Sequence, residues 1–142
     1  MPVQWTCHRA ASVLVPSGPG EKRHLFALLL EPVVVDGYGS APQVLMASIC
    51  TVRPGLFVDQ SCLLSAGDHP FITHDSYVDY SFARMESQAH VEQCVAAGTF
   101  TAKEDCSPEL IRRIIQGALV SKRIPREFKK VLETVLLGPP PH

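Results

Sequence analysis

The residue types best suited to chemistry are concentrated in DHPFITHDSYVDY, residues 68–80, which holds two His, three Asp and two Tyr. An imidazole titrates near neutrality and can pass a proton in either direction. A tyrosine hydroxyl can donate a hydrogen bond to a phosphate. Three readings are open. His69, His74 and Asp75, with Asp68 as a fourth, are ligand types for a metal ion. Their spacing matches none of the helical patterns, such as HExxH, that set two imidazoles on one face. His69 or His74 could instead act as an acid or base without a metal. In the third reading the stretch is structural: Asp68 caps a turn, His69 is held extended before Pro70, Phe71 and Ile72 anchor the loop in the core, and His74-Asp75 begins a strand.

A second group is basic. Gly20-Glu21-Lys22-Arg23-His24 precedes an apolar run, and Thr51 and Arg53 close another. An arginine and a hydroxyl can hold a phosphodiester and stabilise the charge that develops on its oxygens. When RNA is cleaved without a metal, its own 2′-hydroxyl is the nucleophile, so the protein need supply only a base, an acid and a cation. Taken singly, each of these residues also reads as a charged turn or a strand-end cation. Other nucleophiles have less support. Ser17 and Ser65 lie near glycines but outside any GxSxG elbow. Cys50 and Cys62 sit in apolar runs, where burial raises a thiol pKa and blunts its reactivity. Glu86 and His90, four apart on a predicted helix, read as a surface pair. Neither GxGxxG nor GxxxxGK[ST] occurs.

The elements that must position these residues are legible in outline. Strands are expected at 11–16, 24–31, 43–52, 61–65 and 76–80, separated by the turn 17–20, the loop around Gly37, Gly39 and Pro42, the Pro54-Gly55 turn and the loop 67–70. Helices are expected next. The first spans 82–97 and is closed by Gly98. The second begins at Ser107-Pro108-Glu109, an N-cap, a proline and an acid in order. Its apolar stripe runs through Leu110, Ile111, Ile114, Ile115, Ala118 and Leu119. Pro125 opens the third, with Phe128, Val131, Leu132, Val135 and Leu136 on one face and Gly138 at its end. Five strands followed by helices point to α+β, an antiparallel sheet with helices gathered at one side or end.

The 142 residues, 46% apolar and 19% charged, suit one compact domain and exclude disorder. The strands, expected to form a small barrel or sandwich, occupy about residues 8–80, and the helical part about 81–138. The net charge of −1 conceals an asymmetry: residues 1–107 carry 6 basic and 11 acidic side chains, residues 108–142 carry 7 and 3. A polyanion-binding surface is therefore expected to draw on the C-terminal helices, through Arg112, Arg113 and Lys129. Five cysteines without CxxC argue against a disulfide framework or a closed zinc site and for buried thiols in a cytoplasmic protein. The longest apolar stretches, 25–30 and 131–137, fall far short of the ~20 residues a membrane helix requires. No secretory leader pattern opens the chain.

The order of segments resembles the MazF/PemK family of toxin endoribonucleases over residues 10–97. The matching residues are GEKRHLFALL at 20–29, ASICT at 47–51, and DSYVDYSFARM at 75–85, a late strand leading into a helix. His24 stands where that family usually has proline. Residues 59–74 match no family signature, and the helices from Ser107 are additional. The resemblance implies a small SH3-like (PemK/MazF/CcdB-like) antiparallel β-barrel followed by C-terminal helices. It also implies an endoribonuclease without a cofactor. Arg23 would stabilise the scissile phosphate, Thr51 would orient it and His24 would serve as an added acid or base, beside His69 and His74, the acid–base candidates read from their residue type. Arg112, Arg113 and Lys129 of the basic helices would then contact the RNA backbone, and Arg53, Tyr77 and Tyr80 are RNA-contact candidates by residue type. Members of that family are homodimers whose RNA groove is blocked by an antitoxin. Two alternatives stand beside this one: a non-catalytic SH3-like module binding a protein or nucleic acid, and a metal hydrolase built on His69, His74 and Asp75.

Overall fold

The computed structural model describes residues 4–17, 20 and 22–138. Gly18, Pro19 and Glu21, from the expected turn and the basic motif after it, lie outside these residues, as does the Pro-rich end beyond Gly138. Six strands form one antiparallel sheet: β1 (Ser12–Pro16), β2 (Arg23–Leu28), β3 (Gln43–Thr51), β4 (Leu63–Leu64), β5 (Ser76–Ser87) and β6 (Thr101–Lys103). Their order is β4-β5-β3-β2-β1-β6. The outer strands β4 and β6 do not pair, so the sheet curls into a half-barrel rather than closing. Three helices complete an α+β architecture: α1 (Gln88–Ala96), α2 (Pro108–Val120) and α3 (Arg126–Leu137). No helix among the described residues is long and apolar enough to cross a membrane.

Both faces of the central strands are covered. One face packs Leu14, Leu25, Ala27, Leu45, Ala47, Ile49 and Val78 against Leu110, Ile114 and Leu132 of α2 and α3. The other packs Val13, Val15, Phe26, Leu28, Val44 and Met46 against Val91 of α1 and Phe100. A strand buried on both sides has no polar face to display. That is why β2 and β3 read as continuous apolar runs instead of alternating.

The helix expected at 82–97 is corrected. Residues 82–87 continue β5, and the helix begins only at Gln88, capped by Ser87, whose hydroxyl accepts from the His90 N–H at 3.2 Å. The reason is a bulge. Met46 pairs with Arg84 and Ser48 with Asp79, so four residues of β5, Tyr80–Ala83 by number, stand opposite Ala47 alone. The residues of β5 facing α2 and α3 are consequently Val78, Tyr80, Ala83 and Met85, and the step of three mimics a helical spacing. Strand β6 carried no recognisable signal. It is three residues long and exists by pairing with β1.

The bulge seats Tyr80 in the core. Its hydroxyl donates to the Ile114 carbonyl at 2.6 Å. Helix α2 comes close enough only because residue 117 is glycine: a Cβ there would stand 2.9 Å from both the Ser61 carbonyl and the Cys62 Cβ. The two later helices begin where the sequence places them. Ser107 caps α2 through the Leu110 N–H at 3.1 Å, with Pro108 at its first position. Pro125 precedes α3, and Gly138 ends it at φ 79°.

Candidate functional site

Strands β2 and β3 pair only from Leu25↔Ile49 to Leu28↔Met46. Beyond that point each continues with its other neighbour: Arg23 with Pro16 on β1, and Thr51 with Ser76 on β5. The two strands therefore fork, and a cleft of about 560 Å³ opens at the fork. One wall carries Lys22, Arg23 and His24, and another carries Cys50, Thr51 and Arg53. The 70–74 loop and Tyr77, Asp79 and Phe82 of β5 complete it.

The register explains this composition. Phe26 lies opposite Ser48, Ser48 opposite Asp79, and Cys50 opposite Tyr77, so these residues share one face of the sheet. Strand alternation adds His24 to the same face. This is the face that α1 covers farther along. At the fork it is open, and the side chains change from apolar to polar. Arg23 and Thr51 lie on the opposite face, and the gap between the strands brings both sets into one cleft.

Its electrostatics are cationic. Among the described residues, Lys22, Arg23 and Arg53 have no carboxylate within ion-pair distance. Arg53 sits at the start of a turn whose Gly55 has φ 79°, with the Leu56 N–H donating to the Arg53 carbonyl at 3.2 Å. Proline then glycine at the two central positions suits a type II turn. Arg23 extends across β1 and donates to Thr101 Oγ1 at 3.3 Å. His24 Nδ1 is hydrogen-bonded to Ser17 Oγ, which leaves Nε2 as the ring nitrogen open to a ligand. The buried Asp79 carboxylate accepts from the Ser81 N–H at 3.1 Å and from its hydroxyl at 2.6 Å. Burial pushes the Tyr77 phenol above its ordinary value, so it remains a hydrogen-bond donor at neutral pH. Burial likewise raises the Cys50 thiol, which keeps it from being an activated nucleophile.

The cleft thus brings together Arg23, His24, Thr51, Arg53, His74 and Tyr77. The other sequence candidates stand elsewhere. His69 is corrected from acid–base candidate to structural residue. It is buried, its Nδ1 accepts from the Phe71 N–H at 2.9 Å, and its Nε2 meets the Glu104 carbonyl at 2.6 Å and Ser12 Oγ at 3.1 Å. With both nitrogens occupied, it ties the 66–75 loop to β1 and to the segment after β6. Tyr80 is corrected too, since a fully buried hydroxyl bonded to Ile114 cannot meet a ligand. Arg113 donates to the Leu63 carbonyl at 2.7 Å and pairs with Asp68 at 3.3 Å, pinning α2 to β4. Arg112 and Lys129 do not line the cleft. No group of three His, Cys, Asp or Glu among the described residues is placed to hold a metal, so His69, His74 and Asp75 do not form a ligand set.

Other expectations resolve singly. Asp68 does cap its turn, accepting from the Ser65 N–H at 2.8 Å. Ile72 is buried, but Phe71 is exposed beneath the Lys103 ammonium, 5.4 Å from its ring centre. Glu86 and His90 approach to 3.8 Å, while Glu86 also pairs with Arg84 at 2.8 Å. All five cysteines are free. Burial pushes the Cys7 and Cys106 thiols up to about 12, with Glu92 adding to the effect at Cys7 and Asp105 at Cys106. Sequence reasoning missed Lys22, Asp79 and Phe82 as cleft residues. Phe82 was hidden by the false helical spacing. Lys22 stood beside Arg23 and carried the same signal.

No protein-family model, no curated protein and no solved structure matches this chain.

Proposed function

We propose that the cleft binds the phosphodiester backbone of single-stranded RNA and cleaves it, and that the half-barrel is an SH3-like relative of the MazF/PemK toxins. The observation that supports this is the gathering, in one open cleft, of three cations with no carboxylate partner among the described residues, together with two imidazoles, a hydroxyl and a phenol. Arg23 and Arg53 neutralise the phosphate and the charge that builds on its oxygens. Thr51 and Tyr77 orient it by hydrogen bonds. One imidazole, His24 through Nε2 or His74 from the facing loop, takes the proton of the 2′-hydroxyl as its oxygen attacks phosphorus. The other returns a proton to the departing 5′-oxygen, leaving a 2′,3′-cyclic phosphate and a 5′-hydroxyl. Charge and atoms balance without an external reactant.

The experiment is incubation of purified protein with labelled single-stranded RNA, and expression of the chain in a bacterial host. Wild type should cut RNA and arrest growth, and Arg23→Ala should lower the cleavage rate about 10²- to 10³-fold, in line with the loss of one charge-stabilising group. Thr51→Ala should act in the same direction. RNA left intact together with undisturbed growth would end the nuclease reading. The toxin role carries with it a homodimer and a cognate antitoxin polypeptide that occupies the cleft.

One observation favours a second reading. The Arg23 guanidinium reaches along the sheet to Thr101, an arrangement that suits following a backbone more than clamping one phosphate. Tight, salt-sensitive binding of RNA that stays intact would identify a non-catalytic binding module.

A further inference from the structure

The β5 bulge places a large apolar side chain where water should disfavour it. Within one turn of chain, Tyr80 is fully buried while Phe82 is 62% exposed. Phe82 lines the cleft and also a neighbouring pocket of about 430 Å³ on the same open face. The two cavities share His24, Cys50 and Phe82. The second is floored by Phe26 and Ser48, with the hydroxyls of Ser17 and Ser81 at its edge. It is therefore a largely apolar slot edged by a few hydroxyls and by Arg84, which is paired with Glu86, and it opens directly beside the cationic cleft.

We propose that this pocket is a nucleobase subsite and that Phe82 is the platform on which the base next to the bound phosphate stacks. The inference rests on the reading of the cleft as a phosphodiester site and goes beyond it by fixing what lies beside the phosphate. Charge complementarity selects the occupant. Whatever covers Phe82 must also face Lys22, Arg23 and Arg53 in the adjoining cleft. A second copy of this chain would bring the same cations against themselves. A duplex keeps its bases stacked inside. A single strand offers a flat base and an anion joined through one sugar, and aromatic platforms beside cationic grooves bind it without needing a particular sequence. Ser48 and Ser81, at the floor and edge of the pocket, are the groups that could distinguish one base edge from another.

The test compares two fluorescein-labelled single-stranded oligodeoxynucleotides of equal length, one with bases and one abasic, both lacking the 2′-hydroxyl that cleavage needs. Wild type should bind the base-bearing strand about tenfold or more tightly than the abasic one, within the range set by one stacked base. Phe82→Ala should erase that preference without weakening abasic binding. Phe82→Trp should keep the preference, and in a Trp5→Phe background its indole emission should be quenched by the base-bearing strand only. Abasic binding as tight as base-bearing binding would overturn the subsite and leave the phosphodiester cleft standing. A preference that survives Phe82→Ala would also overturn it, as would sedimentation showing that Phe82→Ala only dissociates a dimer. If wild type binds neither strand, the reading of the cleft fails, and this inference fails with it.

Discussion

One face of one sheet lives in two environments. At its closed end, Val13, Leu28, Val44 and Met46 lie under Val91 of α1 and Phe100. At its open end, a few residues farther along β2, β3 and β5, His24, Ser48, Cys50, Tyr77 and Asp79 face a cleft. The strands are the same and the pleat is the same. What differs is cover: α1 packs against one end, and β2 and β3 part company at the other. Side-chain chemistry changes where the cover ends, because a buried polar group without partners is costly and an exposed apolar face is wasted. A similar contrast separates the two cationic regions. Residues 108–142 hold seven of the thirteen basic side chains, yet Arg113 is spent on Asp68 and the Leu63 carbonyl, and Arg123 lies 4.4 Å from the centre of the Phe57 ring. The nominally acidic part of the chain supplies Lys22, Arg23 and Arg53, and these three line one cleft.

The comparison predicts that the closed end answers to stability and the open end to binding. The largest effect should come from Met46→Ala. Emptying a fully buried site should cost about 2–5 kcal/mol, read as a lower urea midpoint, while oligonucleotide affinity of the folded fraction stays unchanged. Loss of affinity at equal stability would break the contrast.

A smaller, pH-dependent effect should come from Asp59, which ties the segment before β4 to the end of α2. Its carboxylate accepts from the Ser61 N–H at 2.9 Å and from the Ser121 hydroxyl at 2.9 Å. Burial works to raise its pKa, but these hydrogen bonds, with the Arg123 charge, outweigh burial and hold the carboxyl below its ordinary value. A depressed folded-state pKa means that its contribution is complete above the unfolded-state value of about 3.9. The contribution is lost as pH falls through the folded-state value. Thermal melts should therefore show stability declining below about pH 4, with part of that decline absent in Asp59→Asn. An identical acid profile in the variant would remove Asp59 from the account.

The smallest effect on folding should be that of Arg53→Ala at the open end, within about 0.5 kcal/mol. Its signature should be in binding instead: the slope of log affinity against log salt should fall by about one. An unchanged slope would place the phosphate elsewhere.

Much of this was legible in residues. Ser107-Pro108-Glu109 announced α2, and Gly138 its successor's end, because caps are local chemistry. The basic turn before β2 and Thr51 and Arg53 after β3 were legible as residue types able to grip an anion, and the structure places them in one cleft. His74 and Tyr77, singled out by residue type, line the same cleft. His69 and Tyr80 were misassigned because type and spacing cannot tell an imidazole in a cleft from one bonded on both nitrogens in a core. The extension of β5 was missed because the bulge at residues 80–83 converts a spacing of two into three.

The sequence by itself determined the α+β order, the helix starts, the apolar runs and the residue types able to grip an anion. Each of these depends on side chains a few positions apart. Only the tertiary structure decided which of those residues meet. The fork between β2 and β3 brings Arg23 and His24 to Thr51 and Arg53 across a gap in the sheet, and the bulge turns Tyr80 inward and Phe82 outward. Both follow from strand pairing between distant segments, a register that no local pattern encodes.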